Sequence, residues 1–162
     1  MERFLQTLDE SPRPVASGSF SFDPCYLGYF ECFNTQCYYE AHDVLEQLWL
    51  KEGRAAPDYA FYQGLIQLAG GFVHLKLQRA HPDHPKYAKR LAPARRLFLR
   101  AAENLLAYRT PEDSRRHGID LEIPMALSLA TARQIKEGEY ARNPWEPSSP
   151  PFLPLPHIIS EK

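Results

Sequence analysis

Tyr38-Tyr39-Glu40-Ala41-His42-Asp43-Val44-Leu45-Glu46-Gln47-Leu48-Trp49-Leu50 is the stretch from which the fold can be read. On a helical period of 3.6, Tyr38, His42, Leu45, Glu46 and Trp49 share one face. His42 and Glu46 are four residues apart, so their side chains can meet. Asn34-Thr35 precedes the stretch and is expected to cap the helix, which should end near Lys51 before Gly53. A shorter helix should come first, opened by Asp23-Pro24 and ending near Phe33.

Downstream, Pro57-Asp58 should open a third helix that ends before His81-Pro82. It carries Gln63, Gln67, His74 and Gln78 on one stripe, with Gly70 and Gly71 between them. Apolar residues fill the remaining faces, which places this helix inside a bundle. Its amides then need internal partners, because buried unpaired polar groups are costly. A short connection makes the second and third helices antiparallel neighbours. The expected arrangement turns His42 and Glu46 toward Gln63, Gln67 and His74, giving one polar pocket between the two helices. A fourth helix should run from about Pro85 to Tyr108, kinked or split at Pro93. A fifth should open at Asp120 or Pro124 and end near Gly138. No strand alternation is evident. The expected fold is therefore all-α: residues 1–22 irregular, residues 23–140 a single-domain bundle of about five helices, and residues 141–162 an extended Pro-rich tail. The tail holds six of the 15 prolines and could pack through Trp145, Phe152 and Leu155.

Composition sets the outer limits. The chain has 162 residues, 44% hydrophobic and 24% charged, which is the make-up of one globular domain. Net charge is −1, so the whole chain is not a polycation suited to nucleic acid. The charge is uneven: residues 1–53 hold 9 acidic and 3 basic side chains, net −6, and residues 76–116 hold 4 and 11, net +7. Two such surfaces suit pairing within the chain or across a homodimer. Arg95, Arg96 and Arg100 follow Lys89 and Arg90 with Phe98 as the single aromatic among them, which argues against a nucleic-acid partner. Three cysteines, Cys25, Cys32 and Cys37, fit neither a zinc pattern nor a disulfide framework, and point to a reducing, cytoplasmic setting. Residues 1–10 lack the apolar run of a signal peptide. The uncharged stretch 59–75 is too short and too polar to span a membrane.

Two chemistries suit the His-Glu pair. A nitrogen and a carboxylate oxygen can ligate a divalent transition metal, or the carboxylate can orient the imidazole as a general base. His42, Glu46 and His74 are the candidate metal ligands, and Tyr38, Trp49, Gln63, Gln67, Gly70 and Gly71 the candidate pocket lining. A metal with few protein ligands leaves room for an activated water, so metal-assisted hydrolysis is the reaction such a site would support. The competing reading has no cofactor: a non-catalytic interaction or oligomerisation module whose His, Glu and Gln side chains only lock the core. His81, His84, His117 and His157 fall beside Pro, Gly or loop residues and are not taken as site residues; His81 and His84 are expected in a solvent-exposed turn.

At these residues the chain resembles a bacterial and archaeal family, domain of unknown function 309. The resemblance rests on His42-x-x-x-Glu46-x-x-Trp49 followed by Gln63-Gly64-Leu65-Ile66-Gln67-Leu68-Ala69, and spans roughly residues 23–108. Asp43 stands where many relatives carry Glu. The resemblance implies an all-helical fold and a metal-binding role for the His and Glu; it implies no particular reaction.

Overall fold

A computed structural model describes residues 22–159. Among them are six α-helices and no strand: α1 Pro24–Asn34, α2 Tyr38–Glu52, α3 Tyr59–Ala80, α4 Leu91–Leu105, α5 Pro111–His117 and α6 Glu122–Glu137, with a 3₁₀ turn at Leu106–Tyr108 after α4. The all-α expectation holds, with six helices where about five were expected. The irregular segment expected at residues 1–22 lies, apart from its last residue, outside the described residues.

The first helix starts as its sequence requires. The Asp23 carboxylate accepts from the Cys25 amide at 2.8 Å, and Pro24 occupies the first turn. The second departs from expectation, since Cys37 precedes it without a side-chain cap. Asn34 instead ends α1 and turns its amide onto the backbone of Leu153. The fourth helix begins at Leu91, not Pro85, so Pro93 lies in its first turn. Its missing N–H would be unsatisfied there in any case, which is why no split follows. The additional helix, α5, is opened by Thr110, whose hydroxyl accepts from the Asp113 amide at 3.1 Å, and closed by Gly118 at φ 71°. A left-handed residue after a helix favours glycine.

The long apolar helix α3 is the centre. It packs against both α2 and α4, while α1 lies on α2 and α6 on α4. Between α1, α2, α3 and α4 runs an aromatic core: Tyr38 stacks on Phe72 at 5.2 Å, Phe33 meets both edge-on, and Phe72 meets Phe98 at 4.9 Å. Two glycines set the α3–α4 approach. A Cβ at Gly71 would lie 2.5 Å from the Phe98 ring, and one at Gly64 2.8 Å from Leu105.

Residues 141–159 form no helix and run back across the bundle. Trp145 is buried, its indole N–H donating to the Tyr38 hydroxyl at 3.0 Å. Asn143 donates to the Leu75 carbonyl at 2.7 Å. Leu153 is buried, whereas Phe152 and Leu155, expected as anchors, are exposed. In this extended segment the side chain that faces the bundle belongs to the residue whose backbone Asn34 holds.

Candidate functional site

On α2, the His42 Nδ1 lies 3.1 Å from an Asp43 carboxylate oxygen, and Nε2 lies 3.7 Å from Glu46 Oε2. A carboxylate can only accept, so Asp43 orients the ring through Nδ1, and Nε2 is left facing the Glu46 carboxylate. Asp43 was not among the expected site residues; it is the carboxylate that orients the imidazole. The side chains of His42 and Glu46 are 32% and 36% exposed, so the pair opens to solvent and is not an internal pocket. Tyr39 flanks His42 with its ring nearly parallel, at 6.4 Å. One turn beyond Glu46, Trp49 stacks on Tyr59 at 4.9 Å, and its buried indole N–H finds no acceptor among the described residues.

The α2–α3 register follows from two ring pairs, Tyr38 on Phe72 and Trp49 on Tyr59. They make the helices antiparallel and set His42 near the level of Gln67 and Glu46 near that of Gln63. His74 is then displaced by seven residues, about 10 Å along the axis. It faces α4, where Arg90 Nη1 lies 2.8 Å from its Nδ1. Burial, then Arg90 and Arg96, hold the His74 imidazole below its ordinary pKa. Gln67 likewise turns to α4, accepting from Asn104 at 2.7 Å, and Gln78 accepts from Asn143 at 2.8 Å. Gly71 is covered by Phe98, and Tyr38 is a core residue. The expected set His42, Glu46 and His74 is therefore not brought together. No group of three His, Cys, Asp or Glu residues suited to a metal exists among the described residues. The reason lies in the glycines: Gly64 and Gly71 draw α4 onto the stripe of α3 that was expected to face α2.

A second polar cluster was not anticipated. Asp58, just before α3, accepts from Arg116 at 2.5 and 2.6 Å and from His117 Nε2 at 3.0 Å. His117, not taken as a site residue from the sequence, is buried, and its ring stacks on Phe61 at 3.7 Å. Burial would raise the Asp58 pKa, but the hydrogen bonds from His117 and Arg116 outweigh it and hold the carboxyl below its ordinary range. With Tyr26, Tyr62 and Phe22 these groups line a cavity of ≈ 130 Å³. The sequence signal was slight: a helix-opening Asp, and a His before a closing Gly, 59 residues apart. The other histidines set aside, His81, His84 and His157, are exposed. Cys32 and Cys37 are free thiols, and burial pushes Cys32 up to about 12.

Fold and site together define a small all-helical protein that carries an oriented His–Glu pair on its second helix. Residues 26–82, which span most of α1 and all of α2 and α3, match the family described as Domain of unknown function (DUF309), so this segment is similar to that family. No curated protein and no solved structure matches the chain. No described helix is long and apolar enough to cross a membrane.

Proposed function

We propose that His42 and Glu46 form an open two-ligand site for a divalent transition metal, used in metal-assisted hydrolysis. The observation that carries this reading is the orientation of the imidazole. Asp43 fixes Nδ1, and Nε2 faces a carboxylate oxygen across 3.7 Å, a gap too long for a good hydrogen bond. Two ligand atoms on a tetrahedral ion at about 2.0–2.1 Å stand roughly 3.3 Å apart, so small rotamer changes would suit them to one ion. The carboxylate–imidazole–ligand order is also the usual outer-shell arrangement of a metal-bound His. A bound ion would supply Lewis acidity and a water of lowered pKa. The chain's own contribution is to hold the imidazole tautomer through Asp43, to leave the site open, and to wall it with Trp49. The free thiols of Cys32 and Cys37 are consistent with a reducing, cytoplasmic setting.

Metal analysis of untagged protein, beside His42→Ala and Glu46→Gln, tests the reading. Stoichiometric zinc, manganese, iron or nickel in the wild type, reduced at least tenfold in both variants, is expected. Wild type that takes up no divalent ion on titration overturns it. The second reading, a non-catalytic homodimeric module, is favoured by the incomplete ligand set. It expects a dimer whose association weakens from low to high salt in sedimentation, and a monomer at both salts removes it.

A further inference from the structure

The connection between α3 and α4 folds into a compact cluster of rings and cations. His81 and His84 lie 5.1 and 4.8 Å from the Tyr87 ring. The Arg90 guanidinium sits over the same ring at 4.8 Å and the Lys86 ammonium at 5.6 Å. The turn is held by its own backbone: Tyr87 N–H donates to the His84 carbonyl at 3.0 Å, and Lys86 N–H to His84 Nδ1 at 3.0 Å. His81, His84 and Lys86 are exposed and Tyr87 is half-buried.

The cluster continues into a row of cations. Arg96 and Arg100, four residues apart, share one face of α4, and Lys89 lies in the turn just before that helix. All three are exposed, and the opposite face of α4, with Leu91, Ala94, Phe98 and Ala101, is buried. Among the described residues Arg79, Arg109, Arg116 and Arg133 each have a carboxylate partner, but Lys86, Lys89, Arg90, Arg96 and Arg100 have none. Like charges held this close repel one another, and a polyanion laid along them relieves that repulsion. The arginine row alone lacks the aromatics of a nucleic-acid surface; the fold supplies them from the preceding connection.

We propose that the face formed by residues 81–100 binds single-stranded nucleic acid. Phosphates lie along Lys86, Lys89, Arg96 and Arg100, and unpaired bases stack on the exposed rings of His81 and His84 beside Tyr87. A single strand is favoured over a duplex because only unpaired bases offer their faces to such rings, whereas a duplex would use the cations alone.

Fluorescence anisotropy of a labelled oligothymidylate of about 15 nucleotides, titrated with the full chain, tests this. Neutralising about four phosphates on a single strand should give a log–log salt slope of about −2.8, or roughly 50-fold weaker binding at 200 mM than at 50 mM salt. The triple variant Lys89→Glu/Arg96→Glu/Arg100→Glu should lose at least tenfold in affinity while keeping its helical circular dichroism, since all three side chains are exposed. The double variant His81→Ala/His84→Ala should weaken the single strand about fivefold or more and leave heparin binding unchanged. Absence of binding at 50 mM salt overturns the proposal. Equal affinity for single strand, duplex and heparin, untouched by the ring variant, overturns it in favour of a generic polyanion. A wild-type dimer that binds no oligonucleotide and is dispersed by the charge reversal overturns it in favour of a second copy.

Discussion

Asp58 shows what one carboxylate can hold together. It joins the start of α3 to the end of α5 by accepting from both Arg116 and His117, and its own side chain is 17% exposed. Asp58→Asn removes the charge, leaves the buried His117 imidazole without its anion and leaves Arg116 with Asp113 alone. Breaking a buried pair costs about 3–5 kcal/mol, and partial exposure here reduces that to roughly 2 kcal/mol. The pH dependence follows from the direction of the shift. The folded carboxyl is held below its unfolded value, near 3.9. Its contribution is therefore present above about pH 4 and fades as the pH falls through the folded pKa. Melting temperatures of wild type and Asp58→Asn should differ at pH 7 and converge in acid. A gap that persists at pH 2 would show that shape, not charge, is what Asp58 supplies.

The α3–α4 contact turns on which glycine faces which side chain. Gly71 meets the Phe98 ring closely enough that a methyl would overlap it, whereas a methyl at Gly70 would stand 3.4 Å from the end of Leu97, a flexible side chain. Gly71→Ala should lower stability by about 1–3 kcal/mol through overpacking. Gly70→Ala should be neutral or raise it by up to about 1 kcal/mol, because alanine is the better helix former. Urea unfolding of the two variants side by side measures the difference. Equal effects would mean that α4 sits less tightly on α3 than the ring positions require.

For the molecule as a whole, the segment after α6 acts as a strap and not as an appendage. Asn34 both donates to and accepts from the backbone of Leu153, each at 2.8 Å, as a neighbouring strand would. Together with Trp145 on Tyr38 this ties the C-terminal part of the chain to the α1–α2 corner. Asn34→Ala should release that tie, costing about 1–3 kcal/mol for two buried backbone groups left unpaired. Limited proteolysis should then cut within residues 146–159 well before the helices. Unchanged cleavage would assign the anchoring to Leu153 burial and Trp145 alone.

Much of this protein was legible along the chain because it depends on near neighbours. The 3.6-residue period in residues 38–50 specified α2 and placed His42 beside Glu46, and Asp23-Pro24 and Gly53 marked ends that local capping alone decides. The apolar girth of α3 announced its central position. Side chains without a neighbour in sequence were decided only by packing. Which flank of α3 meets α4 was settled by two missing methyls, at Gly64 and Gly71, and that choice turned Gln67 and His74 away from His42. Asp58 and His117 meet across 59 residues, and Asn34 and Leu153 across 119, distances over which sequence spacing carries no geometric information. The helices and the His–Glu pair are thus properties of local periodicity, and the company that pair keeps is a property of how the helices settle on one another.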